Sequence, residues 1–440
     1  MSSTLSIGTS PSTGLSESEL QLMKRRQDEI DEFVSVVSTT FLGLTVGCGR
    51  CHDHKFDPIM TRDYYGLAAV FSGLDRLEKP VTSPEERERH ATALTATKDD
   101  SKKNGPPLPV SYVADDGDPR STFVLERGDV RQRGEEVGPT ALCAIEALDP
   151  DLTPEAGNDS AARRRLRLAE WMLDVRNPLP GRVLVNRLWH YHFGQGIVNT
   201  PNDLGWSGDR PSHGDLLGWL AADFVGRGWR IKRLQLMIVL SSVYRQGNEF
   251  NRQAAAVDGA NRLLWRWLPR RLEAEALRDA ILQVSGELDL TFGGPSFRLF
   301  RTIEANVPEY LLLENPGRET WRRAVYMFNL HTFASPLMRG FDCPDPTNQV
   351  PRRLQTVTTL QALSLLNNPF VFEQSDFFAR RVAAAASSQP DDQAVRAYRI
   401  ALLRDPTVEE RQAAGQFIRD HGLFSLCRVL LNTNEFLYVF

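Results

Sequence analysis

Apolar positions recur with a helical period along most of the chain. Between residue 17 and about 37, Leu20, Met23, Ile30, Phe33, Val34 and Val37 fall on one face and charges crowd the other, which predicts a helix. The run Phe41-Leu42-Gly43-Leu44-Thr45-Val46-Gly47 follows; its two glycines suit close backbone approach, either to a flat macrocycle or in tight helix-to-loop packing. Thr61 opens a second short helix through Leu67, Val70 and Phe71. Residues 78 to about 104 are polar and read as a partly helical linker closing in a proline-rich turn. Residues 110–113 and 121–125 alternate like strands and are expected to form one small sheet or hairpin ending near Pro139.

From residue 160 onward the period is almost wholly helical. Asp159 or Ser160 should cap a helix to residue 173, and Asn177-Pro178 should break the chain before another helix through 193. Pro211-Ser212 opens the next, and 231–244 and 271–288 are two further amphipathic helices. Residues 290–351 are less regular, with a strand expected at 324–328. Helices near 356–386, 391–403, 407–420 and 422–437 close the chain. The expected fold class is mainly α: a disordered leader (1–18), a helical segment (19–80), a linker with a small β unit (81–159) and a larger helical domain (160–440).

Composition changes this picture little. Apolar residues at 41% and charged residues at 25% are ordinary globular values, and the net charge of −4 offers no general attraction to nucleic acid. No apolar stretch reaches the roughly 18 residues needed to span a bilayer. Five cysteines are too few for a disulfide scaffold, and Cys143, Cys343 and Cys427 read as buried free thiols.

The specific chemistry lies in Cys48-Gly49-Arg50-Cys51-His52-Asp53-His54-Lys55-Phe56-Asp57-Pro58. Cys48, Cys51 and His52 form the C-x-x-C-H pattern of covalent haem c attachment: two thiols add to the porphyrin vinyl groups and the adjacent imidazole becomes the proximal iron ligand. The competing readings are half of a zinc site, which needs further distant ligands, and an unoccupied thiol pair. His54 is too near His52 to reach the opposite haem face and is a candidate outer-shell donor. Lys55 and Asp57 read as surface charges. Met60, His190, His192, His213 and His331 are candidates for the distal iron position, with His192 also a weak catalytic candidate. Haem c is attached outside the cytoplasm, so a periplasmic or other extracytoplasmic location is expected. The polar residues 1–18 are not a secretory signal, so Met1 is read as other than the natural beginning.

Residues 41–71, FLGLTVGCGRCHDHKFDPIMTRDYYGLAAVF, closely resemble the end of the planctomycete cytochrome-type domain DUF1549 (PSCyt2). The later chain resembles its companion DUF1553 (PSD1) through RLRLAEWMLDVRNPLPGRVLVNRLWHYHFGQGIVNTPNDLG from Arg165, FDCPDPT from Phe341 and TLQALSLLNNPFV from Thr359. The resemblance covers about residues 28–440. It implies exported proteins presumed to bind haem c, found with sulfatases and other polysaccharide-degrading systems, and it makes this chain look like the back part of a longer protein. In the companion domain the recurring polar positions are Arg187, Trp189, His192, Asn202, Asp203, Asp342, Asp345, Arg352, Arg353 and Gln361. Asp342 and Asp345 sit in a proline-rich loop that either presents carboxylates to a sugar or metal, or caps turns and pairs with Arg352 or Arg353.

The leading expectation is therefore a haem-c redox protein, transferring electrons to a partner or performing oxidative chemistry linked to polysaccharide degradation. The alternatives are a non-redox module binding carbohydrate or a partner such as a sulfatase, and a zinc-holding enzyme that uses the Asp342/Asp345 loop.

Overall fold

The computed structural model describes residues 17–80, 82–83, 85–89, 92, 110–155, 157–303, 309–313, 316–330, 335–345 and 350–439. Most of the expected leader and linker, and His331, lie outside the described residues. The fold is mainly α with small two-stranded sheets, and it divides into two compact units, 1–239 and 240–440. That division falls inside the stretch expected as one domain from residue 160.

In the first unit, α1 (Glu17–Val37) buries Ile30 and Val34 as its period requires, then widens into a π-helical turn, Ser38–Leu42. A 3-10 helix, Val46–Arg50, follows, and then α2 (Thr61–Phe71), of which Asp63 to Phe71 are all buried. The two glycines serve protein packing. A Cβ on Gly43, whose φ is +62°, would stand 2.8 Å from Val183, and one on Gly47 would stand 2.7 Å from the Ser35 hydroxyl.

The β-like runs do not pair with each other. Instead β1 (Leu74–Pro80) pairs antiparallel with β2 (Val110–Asp116), and β3 (Thr122–Leu125) with β4 (Arg133–Val137). Both unforeseen partners are rich in charge, so alternation does not mark them. α3 (Ala161–Leu173) starts at Ser160, whose hydroxyl accepts the Arg163 N–H, and α4 (Leu179–Phe193) follows the expected Asn177-Pro178 break. α5 (Gly214–Gly226) packs on α4, and α6 (Ile231–Leu240) is shorter than its periodicity suggests.

The second unit holds a separate core around Leu277, Ile281, Leu365 and Phe378. It is built from α7 (Arg252–Val257), α8 (Ala274–Ser285), α9 (Pro336–Gly340), α10 (Thr359–Asn367), α11 (Pro369–Ala385), α12 (Pro390–Ala401), α13 (Val408–His421), α14 (Leu423–Leu430) and α15 (Asn434–Leu437). The strand expected at 324–328 is a 3-10 turn, Ala324–Tyr326. The strands of this region are Phe300–Ile303 and Glu309–Leu312, paired with each other.

Candidate functional site

The C-x-x-C-H stretch is a clamped turn with reactive groups facing outward. Cys48 sits within the 3-10 helix, its N–H bonded to the Thr45 carbonyl at 3.2 Å, and both motif thiols are exposed. Arg50 anchors the turn to α1, with its guanidinium 2.8 Å from Asp28 and 3.6 Å from Asp31. From α2, the Tyr65 hydroxyl donates to the Arg50 carbonyl at 2.9 Å, and burial pushes that phenol up to about 12. Tyr64 donates to Asp31 at 2.7 Å. Gly128 approaches the second thiol: a Cβ there would lie 3.0 Å from the Cys51 sulfur, so glycine keeps that side open.

The two histidines do different work. The His52 ring is exposed, and its Nδ1 lies 2.6 Å from the Asp53 carbonyl oxygen. Only an N–H of the ring can bond a carbonyl oxygen, so Nδ1 carries a hydrogen, which leaves Nε2 as the ring nitrogen available to a metal. His54 is inverted. Its Nδ1 accepts the N–H of Asp57 at 2.9 Å and of Phe56 at 3.3 Å, so its Nε2–H donates to the Thr45 hydroxyl at 3.0 Å. His54 is therefore a brace across the turn, joined to the residue that precedes the cysteine-bearing helix.

Asp57 corrects a sequence expectation. It is no surface charge: its side chain is buried, and Oδ1 accepts the N–H of Trp206 at 2.8 Å. Lys55 lies instead over the Phe56 ring. Asp63, also buried, accepts the N–H of Met60 at 2.9 Å and of Cys143 at 3.4 Å. Sequence reasoning missed Thr45, Asp53, Asp63 and Tyr65; only the helix N-terminal position of Asp63 is a local signal.

Several polar positions of the companion region hold the motif segment in place. Arg187 of α4 donates to the carbonyls of Thr40 at 2.7 Å and Thr39 at 2.9 Å, and to Asn202 at 2.7 Å. Asp203 accepts the Gly205 N–H and the Ser207 hydroxyl, shaping the loop whose Leu204 N–H bonds the Gly43 carbonyl. Trp189 is buried against Phe193. Among the distal candidates, His192 bonds its own helix through Nδ1 and the Leu188 carbonyl, His213 meets the Ser212 hydroxyl, and Met60 is half exposed just before α2. His190 lies in the last turn of α4.

In the second unit, Asp342 is a junction, with φ at +60°. Its carboxylate accepts Arg271 at 2.7 Å, the Thr356 N–H at 2.8 Å and the Thr356 hydroxyl. Burial works to raise its pKa, but these bonds outweigh it and hold the carboxyl below its ordinary range. Its arginine partner is thus Arg271; Arg353 reaches Glu275 and Glu273, and Gln361 reaches Asp342 and Thr356. Asp345 follows in the same loop. Burial and Glu275 push the Cys343 thiol up to about 11. Of the three cysteines outside the motif only Cys427 is fully buried; Cys343 is half-buried and Cys143 exposed. Among the described residues, no three or more His, Cys, Asp or Glu side chains gather as a metal-binding group. No helix among them is long and apolar enough to cross a membrane.

Fold and site together define a mainly helical protein carrying a braced, outward-facing C-x-x-C-H turn. The model of PSD1, described as a protein of unknown function (DUF1553), matches residues 164–418, and that of PSCyt2, also of unknown function (DUF1549), matches residues 7–76. The first match spans more than half of the chain, which therefore belongs to the PSD1 family. No curated protein and no solved structure matches it.

Proposed function

We propose that this is a c-type haem-binding redox protein, with Cys48 and Cys51 as the thioether residues and His52 as the proximal ligand. One observation carries the reading: two exposed thiols and an exposed imidazole with its Nδ1 proton fixed by Asp53 share a single turn. A haem demands one protein nitrogen at the iron, because the porphyrin supplies four, whereas structural zinc demands four protein ligands. The residues present therefore fit a haem. Bound there, the group would supply a one-electron iron couple.

The chain's own contribution is orientation. Asp53 sets the His52 tautomer, while His54, Tyr65 and Arg50 hold the backbone that spaces the two thiols. Phe56 and Met60 leave apolar surface exposed in the same stretch, suited to contact with a porphyrin edge. Electron transfer to a partner carrier is the simplest use of such a centre. Oxidative chemistry linked to polysaccharide breakdown, outside the cytoplasm, is the setting suggested by the family resemblance.

The test is the intact mass of the chain, fused to an export leader and produced in a host with haem-attachment machinery. The expected mass is that of the sequence plus one haem, and the Cys48→Ala, Cys51→Ala double variant should lose the increment. An unmodified wild-type chain would overturn the proposal.

A further inference from the structure

The connection between β3 and β4 stands against one of the two motif thiols. It begins with the turn Glu126-Arg127-Gly128-Asp129, closed by the Asp129 N–H on the Glu126 carbonyl at 3.0 Å. Arg127 and Gly128 both take left-handed backbone, with φ at +52° and +76°, the two successive positive angles of a type I′ turn. A Cβ built on Gly128 would lie 3.0 Å from the Cys51 sulfur and 3.6 Å from the Arg50 carbonyl oxygen, which already accepts the Tyr65 hydroxyl.

The turn is not free to back away. Leu125 before it and Val130 after it are both buried in the core of the first unit. The Glu126 N–H bonds the Gln132 carbonyl at 3.0 Å, and the Gln132 N–H bonds the Asp129 carbonyl at 2.9 Å. The Asp129 carboxylate accepts the Arg131 backbone N–H at 3.0 Å and its guanidinium at 2.6 Å. Arg127 lacks glycine's freedom, so its left-handed backbone is a strain that these contacts hold in place.

We propose that Gly128 is a positioning residue for haem attachment: it leaves the Cys51 sulfur room to form its thioether, and it acts on Cys51 and not on Cys48. The inference rests on the haem reading above. In forming that bond, Cys51 adds its S–H across a vinyl C=C, sulfur to the carbon next to the ring and hydrogen to the terminal carbon, so atoms and electrons balance. A free thiol crowded by a Cβ on residue 128 rotates away about its own Cα–Cβ bond. A thioether sulfur is tethered at both ends and has no such escape, and the pinned turn cannot yield in its place. An added methyl at this position is therefore tolerated by the fold and resisted by the second attachment.

The experiment compares the exported, matured full chain with Gly128→Ala, with Gly128→Asn, whose side chain tolerates left-handed backbone, and with Gly157→Ala. Gly157 has φ at +80° and nothing within 4 Å of a Cβ, so its substitution brings the backbone strain without the contact. Peptide mass mapping reads which cysteine bears haem. The α band of the pyridine haemochrome reads how many vinyl groups are saturated, each moving it to shorter wavelength. Wild type and Gly157→Ala should be joined at both thiols. In both Gly128 variants the ratio of double to single attachment should fall about tenfold, with the single bond at Cys48, Cys51 open to alkylation and the band matching that of Cys51→Ala. Double attachment of Gly128→Asn at the wild-type ratio, equal loss of haem from both cysteines, or the same fall in Gly157→Ala would each overturn this inference alone. A wild-type chain without haem would instead overturn the haem reading, and this inference with it.

Discussion

His54 shows how a residue beside a cofactor motif can serve the backbone. Replacing it with Ala would leave the Phe56 and Asp57 N–H groups and the Thr45 hydroxyl without the partners they now have. The expected cost is about 2–3 kcal/mol of stability in the first unit, measured by chemical denaturation. An unchanged midpoint would show that the brace is unimportant. A second residue-scale effect depends on pH. Arg404, with help from the Thr407 N–H, holds the Glu410 carboxyl down at about 2, against an ordinary value of 4.5. A carboxyl with a depressed folded-state pKa contributes stability fully above its unfolded value and loses it as pH falls. The contribution should therefore be complete above about pH 4.5 and fade towards pH 2. The pair is about one-third exposed, so solvent screening limits it to about 1 kcal/mol. Denaturation of Glu410→Gln between pH 2 and 6 should show a correspondingly shallower acid slope; an unaltered slope would rule out this pair as a source.

At the scale of elements, Arg187 joins α4 to the turn that leads into the cysteines, through the carbonyls of Thr39 and Thr40. Arg187→Met should cost about 2–3 kcal/mol, since hydrogen bonds from a charged donor are lost, and should speed amide exchange across residues 38–50. Exchange left unchanged there would contradict the clamp. The helices were legible because a period of 3.6 is local: Glu17–Val37 and Thr61–Phe71 are marked by their own apolar spacing. Strand pairing was less legible because it is long-range. Nothing within Leu74–Pro80 announces Val110–Asp116 as its partner. The site divides in the same way. Cys48, Cys51 and His52 are readable from spacing, whereas Tyr65 under Arg50 and Asp57 under Trp206 are set by packing between distant segments. The +60° backbone of Asp342 and its bond to Arg271 are likewise products of tertiary contact.

At the scale of the molecule, two cores each fill one compact unit. Unfolding should therefore depart from a single two-state transition. Leu42→Ala, in the first core, should lower one transition by about 2–5 kcal/mol, and Phe378→Ala, in the second, should lower the other by about 3–5 kcal/mol. Both substitutions shifting one common transition would instead mean that the units unfold together. The C-x-x-C-H turn and the first residues of the PSD1 match lie in the same unit, so stability of the motif and of that part of the family region should be lost together.

The central claim, covalent haem on Cys48 and Cys51, is tested most directly by the pyridine haemochrome of exported, matured protein after denaturation and extraction of loosely bound haem. The account predicts a spectrum corresponding to about one haem per chain, abolished when both cysteines are replaced by Ala. A denatured wild-type chain with no haemochrome, or one whose signal survives loss of both thiols, would contradict it.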